Sequence, residues 1–187
     1  MGLLEKTAIG FAISNLFASL VERDSGIVKP KVGSVVRIGL VGGATHSGIY
    51  IGKPIFGLFG KERIVEITNI NGFAVVRRVS MKEFITGDGF WRSGKCIYVA
   101  CKRDRNGNCV AMGSKDIAKR AKASVNQVSN YNLIFNNCHM FTEYCITGEK
   151  PMLPGTLWSV EKALNRRFIQ QSDERLPDMW RSTGTTQ

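Results

Sequence analysis

An α+β domain is the fold class that the sequence predicts, on three observations. Short segments rich in Val and Ile follow one another between residues 34 and 102. Turn signals punctuate them, the clearest being Asn71-Gly72. Helical patterns flank the run on both sides, and strands grouped apart from helices are the mark of that class.

In order, an apolar segment over residues 7–21 reads as a helix packed on the domain, although its apolar positions follow helical spacing only loosely. A link holding Pro30 leads into a strand at 34–39, and Gly42-Gly43 turns the chain into a second strand at 45–51. A loop with Pro54, Gly57 and Gly60 precedes a third strand at 63–70. Asn71-Gly72 is a hairpin signal because both residues tolerate positive φ, and it sends the chain back along 73–79. Ser80-Met-Lys-Glu83 is a capping box opening a short helix. Another strand follows at 95–102. Ser114 caps a helix with Ile117, Ala121 and Val125 on one side. A last amphipathic helix carries Leu157, Val160, Leu164 and Phe168, and the polar tail after it is expected to fray. This divides the chain into an N-terminal helix (1–27), a central domain (28–150) and a C-terminal helix with its tail (151–187).

The net charge of +11 would draw anionic partners at low salt. Nine basic residues between Arg92 and Lys122 face only Asp104 and Asp116, which is either a solvated basic face or a binding surface. Tyr98 is the only aromatic in that stretch and no recognisable nucleic-acid motif occurs, so nucleic acid is not the expected partner. Five cysteines cannot all pair within the chain and no CxxC occurs, which points to free thiols. The spacing of Cys96, Cys101 and Cys109 does not suit zinc, and neither a metal nor a cofactor is called for. The uncharged run of fifteen residues from Thr7 to Val21 falls short of the roughly 20 that span a bilayer.

Chemistry concentrates around Asn137-Cys138. Asparagine is a favoured N-cap, and Gly148 before Pro151 is a suitable stop, so Cys138 sits in the first turn of a helix. There the helix dipole and unpaired N–H groups favour a thiolate, and the same groups at Asn137 and Cys138 can receive an oxyanion. The competing reading is a small buried hydrophobe. Of the two histidines, His139 is rotated about 100° from Cys138, which leaves His46 as the base. His46 shares a strand face with Gly48 and Tyr50, and small Gly48 leaves room for a helix end or a substrate. Glu66 is the candidate to orient the imidazole. A hairpin centred near Phe56 would set it directly opposite His46, while the Asn71-Gly72 turn sets Arg77 opposite Glu66.

These residues resemble the lecithin–retinol acyltransferase family. His46-Ser-Gly-Ile-Tyr-Ile-Gly52 is similar to its histidine motif, and Asn137-Cys138-His-Met-Phe141 to its Asn-Cys-x-His-Phe motif. The resemblance covers roughly residues 28–148. It implies a circularly permuted papain-like fold, an antiparallel sheet packed against helices with the nucleophile at a helix N-terminus. It also implies Cys138 as nucleophile and His46 as base, with Glu66 standing where the family commonly has a second histidine. His139-Met140 replaces the family's usual pair after the cysteine, and no segment after Gly148 is apolar for long enough to match the family's membrane anchor.

The expected activity is thiol-dependent acyl hydrolysis or transfer on lipid acyl esters through an acyl-Cys138 intermediate. The expected partners are a lipid or acylated substrate and an anionic membrane surface held by the stretch from Arg92 to Lys122. The chain would work in the cytoplasm or peripherally on a membrane, or as a secreted effector. Two alternatives remain: a cysteine peptidase or amidase using the same residues, and a non-catalytic basic membrane-binding module, which would need neither Cys138 nor His46.

Overall fold

The computed structural model describes residues 26–54, 60–87, 96–130, 137–169 and 179–186. The expected helix at 7–21 lies outside them, as do Phe56, Arg92 and Lys95. Among the described residues eight strands form one sheet: β1 (Val35–Gly39), β2 (Thr45–Gly52), β3 (Arg63–Ile70), β4 (Phe73–Ser80), β5 (Cys96–Arg103), β6 (Cys109–Ala111), β7 (Val128–Asn130) and β8 (Trp180–Thr186). The helices are α1 (Met81–Thr86), α2 (Lys115–Ala123), α3 (Cys138–Thr147) and α4 (Leu157–Phe168). The strand order is β6-β5-β1-β2-β3-β4-β7, with β8 pairing β5, and the pairings are antiparallel.

The sheet is covered on both faces. Val35, Ile49, Val65, Ile67 and Val76 point to one side and pack with Phe141, Cys145 and Ile146 of α3 and Val160 and Leu164 of α4. Val36, Ile38, Tyr50, Ile64 and Val79 point to the other, against Met81, Phe84 and Ile85 of α1. Strand alternation produces both sets, so every residue of β2 is buried. Local chemistry agrees with the expected turns and caps. Asn71 and Gly72 both take positive φ, 51° and 87°, as a two-residue hairpin turn requires. Ser80 and Glu83 complete the capping box of α1.

Two expectations need correction. The described end of the tail does not fray: Trp180–Thr186 is a strand on β5, with Trp180 buried, its Nε1 donating to Glu161 Oε1 at 2.6 Å, and its ring 4.8 Å from the buried Arg37 guanidinium. Backbone pairing and one aromatic anchor hold this strand, so its Thr- and Ser-rich sequence carries no apolar alternation. The second correction concerns the β2–β3 register, which pairs Gly48, not His46, with Glu66. An irregularity between Tyr50 and Gly52 accompanies the shift. Because the slip is of two residues, His46 and Glu66 still share a face, as diagonal neighbours.

Candidate active site

The first turn of α3 is held by one carboxamide. Asn137 Oδ1 accepts from the amides of His139 and Met140, both at 3.0 Å, and its Nδ2 donates to Gly155 O at 3.0 Å. Gly155 is a glycine for steric reasons: a Cβ there would meet Met140 Cγ and stand 2.5 Å from Met140 N and 2.9 Å from Asn137 Oδ1. Phe141 N donates to Asn137 O. Of the amides that open the helix, that of Cys138 is the one with no hydrogen bond among the described residues.

Cys138 Sγ reaches the sheet at the start of β2, 4.0 Å from Thr45 O. The next residue, His46, is buried, and its Nε2 lies 2.8 Å from Glu66 Oε2. That contact leaves Nδ1 as the nitrogen available to the thiol. Glu66 is fully buried, and its other oxygen accepts from both Nε and Nη2 of Arg77 at 2.9 Å. Glu66 therefore meets both expected partners at once. Phe84 of α1 packs on the imidazole, ring centroids 5.2 Å apart.

Charge couples the thiol to the imidazole. Burial alone would lower the proton affinity of His46, but the charge and hydrogen bond of Cys138, then those of Glu66, outweigh it and raise the imidazole to about 9. Burial pushes the Cys138 thiol up. The charge and hydrogen bond of His46, followed by hydrogen bonds from the Ser47 amide and hydroxyl, bring it below its ordinary value. The direction on both partners is that of a thiolate–imidazolium pair.

His139 behaves oppositely. Burial, then the charge of His46, pushes it down to about 3, so it stays neutral. Its Nδ1 lies 3.0 Å from Ser47 Oγ and its Nε2 3.3 Å from Thr45 Oγ1. Ser47 Oγ also lies 2.9 Å from Thr142 Oγ1 and donates to Cys138 O at 3.3 Å. One proton arrangement satisfies all of these groups. Thr45 O–H donates to His139 Nε2, His139 Nδ1–H and Thr142 O–H donate to Ser47, and the one Ser47 proton is shared between Cys138 O and Cys138 Sγ. Consecutive residues of β2 thus face opposite sides, with His46 at the thiol and Ser47 gripping the helix that carries it.

The other expected site residues are placed differently. The room that Gly48 leaves is filled: a Cβ there would stand 2.8 Å from Ile64 Cγ2, 2.9 Å from Val65 O and 3.1 Å from Phe84 Cε2. Tyr50 is buried in the α1-side core, and burial followed by its hydrogen bond to Glu62 pushes its phenol up to about 12. Sequence reasoning missed Ser47, Thr142 and Gly155. The signal for the first two was present: each is polar on a face otherwise apolar, Ser47 beside Ile49 and Thr142 beside Cys138 and Cys145. Among the described residues no group of His, Cys, Asp or Glu could hold a metal ion, and no helix is long and apolar enough to cross a membrane.

An antiparallel sheet between helices, with a buried thiol–imidazole pair at a helix N-terminus, is the class of protein these features define. The family model described as Lecithin retinol acyltransferase matches residues 28–151, and the chain belongs to that family. No curated protein and no solved structure matches it. The family acts on lipid acyl substrates, so membership carries acyltransferase- or hydrolase-type activity in general.

Proposed function

We propose that the protein is a thiol-dependent lipid acyl hydrolase or acyltransferase on a circularly permuted papain-like fold, in which Cys138 is the nucleophile, His46 the general base and acid, and Glu66 the group that orients the imidazole. The observation that carries this reading is the placement of buried Cys138, in the first turn of α3, against the start of β2 beside buried His46, whose Nε2 is held by Glu66; the opposed directions of the thiol and imidazole shifts agree with it. The Cys138 thiolate attacks the carbonyl carbon of a lipid ester, forming a C–S bond. The tetrahedral oxyanion meets the Cys138 amide, which the Asn137 cap leaves unengaged. The ester C–O bond breaks and His46 gives its proton to the departing alcohol. Water, or an amine or alcohol acceptor, then adds to the thioester while His46 takes its proton. The C–S bond then breaks, the acyl group leaves with the acceptor, and the Cys138 thiolate and His46 imidazolium are restored.

Asn137 acts by fixing the helix start, and Ser47 by fixing the sulfur against His46. The same three residues would serve a cysteine peptidase or amidase, and family membership is what favours lipid esters. Incubation with mixed phospholipid vesicles, followed by proteolysis and mass analysis, tests the reading. The Cys138 peptide is expected to gain the mass of an acyl group. An unmodified Cys138 peptide with cleavage of amide-linked peptides would give the site to the peptidase reading. Turnover that survives loss of Cys138 would sink both.

A further inference from the structure

Large apolar side chains stand exposed at one end of the molecule. Met152 is 94% exposed, Leu153 76% and Trp158 57%. The packing of α3 and α4 says which end. Gly155, just before α4, is seated on Asn137 and Met140 at the start of α3. Arg167, near the end of α4, donates to Ile146 O at the end of α3. The two helices therefore run parallel, and the connection between them returns along α3 to the Cys138 end. Leu153 and Trp158 flank Gly155 at that end in the sequence, and Met152 precedes them on the returning connection.

Core packing does not account for them. Leu157, Val160, Ala163 and Leu164 form the buried stripe of α4, and Trp158 projects from its wet side. Lys162, one turn on, holds its Nζ 4.8 Å from the Trp158 ring. Glu161, the acidic residue beside Lys162, is engaged by Trp180, so Lys162 is the charge presented next to the indole. An indole with a lysine on its ring and protruding aliphatic side chains nearby in the chain matches a bilayer interface, where the ring sits at headgroup depth and the ammonium group meets anionic lipid.

We propose that Met152, Leu153 and Trp158 form a docking surface for an anionic lipid bilayer, which presents the Cys138 end of the chain to the membrane. The proposal deepens the lipid-acyl reading above and rests on it for the choice of a bilayer over a protein partner. Met152 and Leu153 enter the acyl region, Trp158 anchors at the interface, and Lys162 pairs with a lipid phosphate.

The test compares the full chain with Met152→Ser/Leu153→Ser and with Trp158→Ala. Each is sedimented with vesicles of phosphatidylcholine alone or mixed with phosphatidylglycerol, and each is assayed on those vesicles and on a water-soluble short-chain ester. The wild type is expected to favour the anionic vesicles. Trp158 emission, isolated as the difference between wild type and Trp158→Phe, is expected to shift to the blue on binding. Both variants should lose at least about tenfold in vesicle binding and in acyl release from vesicles, with turnover of the soluble ester unchanged. Variants that bind like the wild type overturn the surface. So does a chain that ignores vesicles and instead self-associates through Trp158. The two readings fail separately: vesicle binding through these residues with Cys138 never acylated keeps the surface and removes the acyl chemistry. Acylation of Cys138 by the soluble ester with no vesicle binding does the reverse.

Discussion

Cys138 and Cys145 stand two turns apart on one stripe of α3, and both are buried. Their thiols are nonetheless displaced in opposite directions. Burial pushes Cys145 up to about 12, with only a partial offset from Arg120, whose Nε donates to Cys145 O at 2.7 Å. Burial acts on Cys138 in the same sense, yet His46 and Ser47 reverse it. The helix ends differ accordingly. The Cys138 end has its donors arranged by Asn137, whereas the carbonyls of Cys145 and Ile146 at the far end are satisfied by Arg120 and Arg167. Burial gives an inert thiol by default, and only partners poised for the thiolate make a reactive one.

The largest expected effect separates the two cysteines outright. Cys138→Ala should reduce acyl turnover by at least about 10²–10⁴-fold with an unchanged circular dichroism spectrum, while Cys145→Ala should retain most of it. Equal losses from both variants would remove the distinction. His46→Ala should cost a similar factor and convert Cys138 toward the condition of Cys145. With only burial and Ser47 acting on the thiol, the midpoint of its alkylation by iodoacetamide should move to higher pH. An unmoved midpoint would show that His46 does not hold the thiolate.

The pH dependence of the wild type follows from the same pair. Activity should rise as Cys138 ionises, at a pH below the ordinary thiol value of 9.0, and fall as the His46 imidazolium loses its proton near 9. Above that point His46 can no longer give a proton to the leaving alcohol. A kcat/KM profile still climbing beyond about 9 would contradict the pairing. Glu66→Gln ranks below these changes: an amide can still orient the ring, but it supplies no charge to the imidazolium. Its expected signature is a partial loss of kcat with the alkaline limb moved to lower pH. Activity and profile like the wild type, beside an Arg77→Ala variant that unfolds, would confine Glu66 to structural pairing.

Much of this was legible because local signals and global fold agree. The Asn71-Gly72 turn, the Ser80 and Ser114 caps and the Asn137 start each rest on a few adjacent residues, and each stands as expected. Period-two alternation with a hairpin centred near Phe56 put His46 and Glu66 on one face, and the two-residue slip in the observed register preserves that face. What was not legible depends on distant pairing. β8 exists because β5 offers an edge and because Trp180 meets Glu161 and Arg37. Gly155 is constrained by a helix cap, Asn137, eighteen residues earlier. Ser47 could be flagged as a polar intruder on an apolar face, but its partners His139 and Thr142 come from the far side of the chain.

Ser47 also yields the smallest expected effect and the finest division between the two thiols, since hydrogen bonds from its amide and hydroxyl lower Cys138 while nothing equivalent reaches Cys145. Ser47→Ala removes the hydroxyl and leaves His139 Nδ1 and Thr142 Oγ1 without it in a buried site, a loss of about 1–3 kcal/mol in stability. The backbone amide of Ser47 and the charge of His46 remain, so the thiolate is weakened and not abolished. Turnover at neutral pH should fall by several-fold, and the acid limb of the profile should move toward higher pH, so that most of the loss is recovered as pH rises toward the optimum. Ser47→Thr, which keeps the hydroxyl, should restore the wild-type position of that limb if the added methyl is accommodated. Thermal unfolding measured on the same variants separates the roles. A lowered Tm with an unmoved acid limb would make Ser47 a packing residue alone, and the reversal at Cys138 would then belong to His46.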